Sequence, residues 1–283
     1  CAVVCSKENN EIFRYTYGAS VTCEEPLQMY SCSKPVTAIA AMMLLERGLL
    51  HLNDEAEKYL PELSGCFLLN ESGKKVSPKK KITIRHLLTM TAGFTYDVDT
   101  EPIKKLQRDN PLADLRKFIS AFVQSPLAFE PGAKFQYSLC YDVLAGVIEG
   151  AAEKKFSEFV KENIFQPLEM YNSNFDNRKT NFPQMYQAEK NGKISLVDGK
   201  NRLILSKNYE SGGAGLISTV EDYAKFSRFL AQGGVNVRGE RLLGESYIKL
   251  MASEQVGKIA VKNNFTCVQG DDYGYGFGVR VRK

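Results

Sequence analysis

Histidine is almost absent: the 283-residue chain has two, His51 and His86. That leaves a zinc site few ligands, and none of the seven cysteines forms a Cys-x-x-Cys pair. No metal and no cofactor is therefore expected. No apolar run approaches the length of about 18 residues that a membrane-spanning helix needs, and no leader-like segment opens the chain. A Gly-x-Ser-x-Gly elbow is missing, which argues against an α/β-hydrolase. The glycines at 274, 276 and 278 do not spell a dinucleotide fingerprint and suit a strand beside a close neighbour. Internal repeats and low-complexity segments are lacking as well.

Charge of one sign is not concentrated either. The net charge of +4 is modest, and the one basic run, Lys74-Lys75 with Lys79-Lys80-Lys81, sits in loop-like sequence without interleaved aromatics. A nucleic-acid partner is not expected. The cysteines, at 1, 5, 23, 32, 66, 140 and 267, are odd in number and scattered. Read as free thiols, they lean toward a reducing or anaerobic setting. With 43% hydrophobic and 25% charged residues, the chain has the composition of a globular protein able to bury a substantial core.

Residues 2–7 and 12–17 read as two strands around the turn Glu8-Asn9-Asn10, with Phe13, Tyr15 and Tyr17 alternating against polar neighbours. From Ser31 to Gly48, Val36, Ile39, Ala40, Met43 and Leu44 follow the spacing of one apolar helix face. Pro35 must lie in the first turn, so that helix starts very near Ser31. Further helices are expected over 83–90, 110–124 (with Asn110 as cap), 141–153, 156–165, 219–230 and 244–252. The stretch 273–281 reads as a strand. Strands at both ends with helices between them give an α+β fold in which the termini share an antiparallel sheet. We expect residues 1–50 and 270–283 in a sheet domain and 51–269 in a mostly helical one.

Ser31-Cys32-Ser33-Lys34 has the form Ser-x-x-Lys. At a helix start, a serine hydroxyl sits near unpaired N–H groups, and a residue three positions on shares its face. The Lys34 amine can then reach Ser31 and, if buried, act as an amine base. Taken alone, the tetrapeptide is better read as a simple N-cap serine with an exposed lysine. Tyr137-Ser138-Leu139, after Glu130-Pro131-Gly132 and before a helix, can aim a hydroxyl into a cleft; the plainer reading is a half-buried aromatic.

The run Met29 to Ala38 resembles the nucleophile motif of class C β-lactamases and their relatives. The resemblance continues through Leu44-Leu45-Glu46-Arg47-Gly48, Ile82 to Gly93, Glu130-Pro131-Gly132, Tyr137-Ser138, Pro167-Leu168-Glu169-Met170 and Gly212 to Thr219. Ordered matches span nearly the whole chain. The resemblance implies a β-lactamase/transpeptidase-like fold, Ser31 as an acylated nucleophile, and Lys34 with Tyr137 as its acid–base pair. His86 falls in a matched helix and reads as packing.

Two departures from the family pattern matter. Leu139 stands where the family's Tyr-x-Asn motif has asparagine, and Tyr-Ser-Leu instead resembles the family VIII carboxylesterases. The Lys/His-x-Gly motif is not found before Lys283, which reads as an incomplete chain. One oxyanion donor would be the Ser31 N–H; the other belongs to that missing strand. The expectation is a serine hydrolase working on small esters or amides through an acyl-enzyme, with Leu139 favouring esters. A true class C-type β-lactamase, a D,D-peptidase and a non-catalytic binding protein on the same fold are the alternatives. The partner expected is a small-molecule ester or amide; oligomeric state is not legible.

Overall fold

The computed structural model describes residues 2–5, 11–16, 22–178, 182–189, 191–197, 199–257 and 273–282. Two strands, β1 (Ala2–Cys5) and β2 (Glu11–Tyr15), form an antiparallel hairpin. After a two-residue strand β3 (Leu27–Gln28) comes a 3-10 turn, Tyr30–Cys32, which runs directly into α1 (Ser33–Glu46). The expected one-sided apolar stripe understates this helix. From Ser33 to Leu44 every residue but Pro35 is buried, because neighbours cover it all round.

Next come the small hairpin β4 (Leu68–Leu69) and β5 (Lys75–Val76) and then α2 (Ile84–Leu88). A helix not anticipated follows, α3 (Glu101–Asp109), with Pro102 in its first turn. It displaces the expected cap. Asn110 ends α3, and Asp114 caps α4 (Leu115–Phe122) by accepting from the Lys117 N–H. α5 (Cys140–Ala152) is buried from Cys140 to Ile148 and packs along α1. α6 (Phe156–Val160) continues as a π-turn, Lys161–Phe165.

The hairpin β6 (Met185–Ala188) and β7 (Ile194–Val197) leads to β8 (Ile217–Ser218), which pairs antiparallel with β3. α7 (Val220–Ala231) is capped by Thr219, whose hydroxyl accepts from Asp222 N–H, one position later than the expected capping box. α8 (Glu245–Met251) and the hairpin β9 (Tyr273–Tyr275) with β10 (Arg280–Arg282) close the described chain. The fold class is the α+β, β-lactamase/transpeptidase-like one, its described strands all in antiparallel pairs around a helical core. No helix among the described residues is long and apolar enough to cross a membrane. Cys23, buried at 3% exposure, is disulfide-bonded, which corrects the free-thiol expectation at that position; Cys32, Cys66 and Cys140 are free.

Candidate active site

The turn before α1 is held from two sides. The Met29 N–H donates to the Leu216 carbonyl (2.9 Å), extending the β3–β8 pairing to the residue two before Ser31. The Ser33 hydroxyl donates to the Tyr30 carbonyl (2.6 Å) and accepts the Leu216 N–H (3.0 Å). Between these anchors Tyr30 has φ of +45°. A bulky residue in that left-handed region carries strain of roughly 1–3 kcal/mol, tolerated only where the surroundings over-determine it. The result is an exposed Ser31 presented above a buried helix start.

Lys34 lies at 1% exposure, one helical turn on. Its Nζ donates to Ser31 Oγ (3.1 Å), Tyr96 Oη (2.9 Å) and the Gly213 carbonyl (2.8 Å). It also stands 4.5 Å from the ring centroid of Tyr137, which packs 5.6 Å from the Tyr96 ring. The fold thus brings Ser31, Lys34 and Tyr137 into one place. What it offers from Tyr137 toward the amine is a ring face; the hydroxyl bonded to the amine is that of Tyr96. Burial pushes the Lys34 amine from its ordinary 10.5 down to about 8, against an opposing pull from the Asp142 carboxylate. Burial raises the Tyr96 phenol far above its usual range, so it stays protonated.

This set of partners orients the amine. A neutral amine has two N–H groups and one lone pair. The Gly213 carbonyl can only accept and takes one N–H. With the other on Tyr96 Oη, the lone pair of the neutral amine faces the Ser31 hydroxyl.

Tyr96 was not anticipated. It sits three residues past Gly93, whose φ of +95° and closeness to Phe129 (2.5 Å from where a Cβ would be to its carbonyl oxygen) turn the chain back toward the site. The matched run ending at Gly93 was the available signal. His86 is a packing residue as expected: it shares a reciprocal cap with Thr83, and burial lowers its pKa.

Leu139 is 4% exposed, packed in the core at the position that caps α5. Leu139→Asn is expected to cost about 2–3 kcal/mol in urea unfolding, because it buries an amide in an apolar setting.

Beside the serine turn opens a cavity of about 940 Å³ between the β6–β7 hairpin and the 214–217 segment. Phe182, Met185, Leu196, Ile204, Leu216 and Ile217 make much of its wall apolar. Tyr30 reaches its rim, the hydroxyl 3.4 Å from Met185 Sδ.

Known proteins of this kind resemble the chain over most of its length. Protein Rv1367c of Mycobacterium tuberculosis is 26% identical over 262 residues, 89% of this chain and 64% of that protein. Acyltransferase mokF of Monascus pilosus is 28% identical, over 81% of this chain and 57% of that protein. The chain thus spans about three-fifths of the length of these curated relatives. The solved structure of EstCE1, a hydrolase with promiscuous acyltransferase activity, superposes with a TM-score of 0.74 at 25% identity, covering 99% of this chain and 77% of that one. The Beta-lactamase family profile matches residues 1–283, and the chain belongs to that family.

Proposed function

We propose that this chain carries the acyl-transfer site of a serine enzyme that takes esters with an apolar acyl or alcohol part. The observation that supports it most is the buried Lys34 amine, 3.1 Å from Ser31 Oγ and with its affinity for protons reduced. Ser31 Oγ attacks the ester carbonyl carbon as its proton passes to Lys34. The tetrahedral adduct collapses, the ester C–O bond breaks, and the alcohol leaves with the proton returned through Lys34. Water, or a second alcohol, then attacks the acyl-serine by the same route in reverse. Tyr137 and Tyr96 complete the proton-handling cluster: the Tyr137 ring face steadies the ammonium formed in each half-reaction, and the Tyr96 hydroxyl holds one amine hydrogen. The Ser31 N–H is one oxyanion donor in this reading. The likeness to an acyltransferase and to a hydrolase with acyltransferase activity suits either acceptor.

Besides Leu139, the cavity supports an ester preference, since an apolar wall favours an alkyl chain by about 0.8 kcal/mol per buried methylene. In a series of p-nitrophenyl esters, kcat/KM is expected to rise at least about tenfold from acetate to hexanoate. It should also rise with pH through about 8, as Lys34 loses its proton. Full-length protein that hydrolyses nitrocefin faster than every ester would overturn the ester reading and leave the Ser31–Lys34 chemistry standing.

A further inference from the structure

Asp142 is the second charge in the core next to the serine turn. It is the third residue of α5, 1% exposed, amid Tyr141, Val143 and Leu144. Its carboxylate accepts from the Tyr209 hydroxyl (2.9 Å) and the Ser211 hydroxyl, and Gly213 packs against it. The Ser211 oxygen accepts the Ala214 N–H (2.9 Å), which leaves its own proton for Asp142. Burial raises the Asp142 carboxyl above the ordinary carboxylate range, and the Ser211 hydroxyl, the Lys34 charge and the Tyr209 hydroxyl pull it back toward the ionised form. Asp142 is in none of the ion pairs found among the described residues, and the positive charge acting on it is Lys34.

One peptide unit, Gly213–Ala214, links the two charges: its carbonyl accepts from Lys34, and its N–H donates to the Ser211 oxygen, whose hydroxyl donates to Asp142. The approach is close enough that a Cβ on Gly213 would lie 2.5 Å from an Asp142 carboxylate oxygen. Next to it the Gly212 carbonyl accepts from the Thr37 hydroxyl of α1 (2.7 Å). The 211–214 segment is therefore clamped between α5 and α1, with its one carbonyl toward the amine fixed in direction.

We propose that Asp142 is a positioning residue of this site: through Ser211 and the Gly213–Ala214 peptide it sets where the Lys34 amine points, and it supplies the buried negative charge against which that amine works. The proposal rests on the reading of Lys34 as the base. The titratable groups facing Lys34 are Cys32 from its own turn, Tyr96 from the loop after α2, and Tyr137, Cys140 and Asp142 from around the start of α5. Burial keeps the Cys140 thiol (pushed up to about 11) and the Tyr96 phenol neutral near pH 8. Asp142 also faces Tyr209 and acts on Tyr96, whose phenols are neutral there for the same reason. A buried carboxylate favours the ammonium form of its neighbour, so removing it must let Lys34 release its proton at lower pH.

The test is Asp142→Asn, which keeps shape and removes charge. Lysine labelled at Cε reports the Lys34 titration by NMR without any need for turnover. The midpoint is expected to fall by about one pH unit or more, and the rising limb of kcat/KM for p-nitrophenyl butyrate to move the same way. With the Gly213 carbonyl loosened, kcat should drop at least about tenfold while KM stays within about threefold. Asp142→Glu should return the midpoint toward that of the wild type. A Lys34 midpoint unchanged in Asp142→Asn would overturn the proposal, whatever happens to the rate. Should Asp142→Asn fail to fold, Ser211→Ala loosens the clamp with the charge in place: kcat is expected to fall at least about threefold, and an unchanged kcat overturns the positioning role. The base assignment is tested separately. If wild-type kcat/KM does not follow the NMR midpoint of Lys34, that reading fails, while the coupling between Asp142 and Lys34 is still decided by the two midpoints.

Discussion

Replacing Ser31 by alanine is expected to lower ester turnover by at least about 10⁴-fold and to remove covalent labelling by a fluorophosphonate. The size follows from the mechanism: without the hydroxyl no acyl-enzyme forms, and the remaining donors give only the rate of oriented water. Stability should change by no more than about 0.5 kcal/mol, since Ser31 is exposed and the turn is anchored by Met29 and Ser33 instead. A wild-type adduct mapped by mass spectrometry should lie on the peptide containing Ser31. The adjacent Cys32 is free and exposed, so the adduct must be assigned to the residue as well as the peptide. Labelling or turnover that survives in Ser31→Ala would end the nucleophile assignment and, with it, the proposed function.

Lys34→Met is expected to separate activity from stability in opposite directions. Methionine matches the lysine stem, so the packing of α1 is retained, but no amine remains to take the Ser31 proton. Turnover should fall by about 10³-fold or more. Stability should rise at neutral pH, because the folded state no longer buries a charge. Folded Lys34 titrates at about 8 and an unfolded lysine near 10.5. Below about 8 both states hold the proton, and the native state bears the full cost of burying it, about 3 kcal/mol from that difference. Between about 8 and 10.5 the unfolded chain binds more protons than the native one, so wild-type stability gains with pH. The advantage of Lys34→Met in urea unfolding should therefore be largest below pH 8 and shrink toward pH 10.5. An advantage independent of pH would mean that Lys34 is not the buried, weakened base described above.

Local patterns carried the helices with strong end signals. Gly48 just past α1 and Thr219 before α7 lie within a residue or two of where the structure ends and starts those helices. α3 escaped because its nine residues carry one buried side chain, Ile103, and an otherwise polar surface, so no apolar stripe announced it. Asn110-Pro111 then looked like a helix start when it follows a helix end; both readings satisfy the same local chemistry, and packing chose between them. The place of Leu139 in the Tyr-x-Asn motif says which residue is there; its burial at the turn into α5 is set by packing.

Sequence by itself determined the family, the α+β fold class and the Ser-x-x-Lys pair, since those rest on local order and short spacing. Three positions along one helical course, Ser31 and Lys34 are neighbours in any structure that forms that turn. Tertiary structure alone decided what makes the pair chemically different from a capped helix with a surface lysine. Tyr96, Asp142 and Gly213 are separated from Lys34 by 62, 108 and 179 positions, and no local rule links them to it. An apolar helix carrying one aspartate shows that a charge is unusual there, not which amine it faces. The lowered proton affinity of the Lys34 amine depends on how much water the packed helices exclude, and its orientation on where one glycine carbonyl points. Both are properties of chain segments meeting across the core, which the spacing of residues along the chain does not encode.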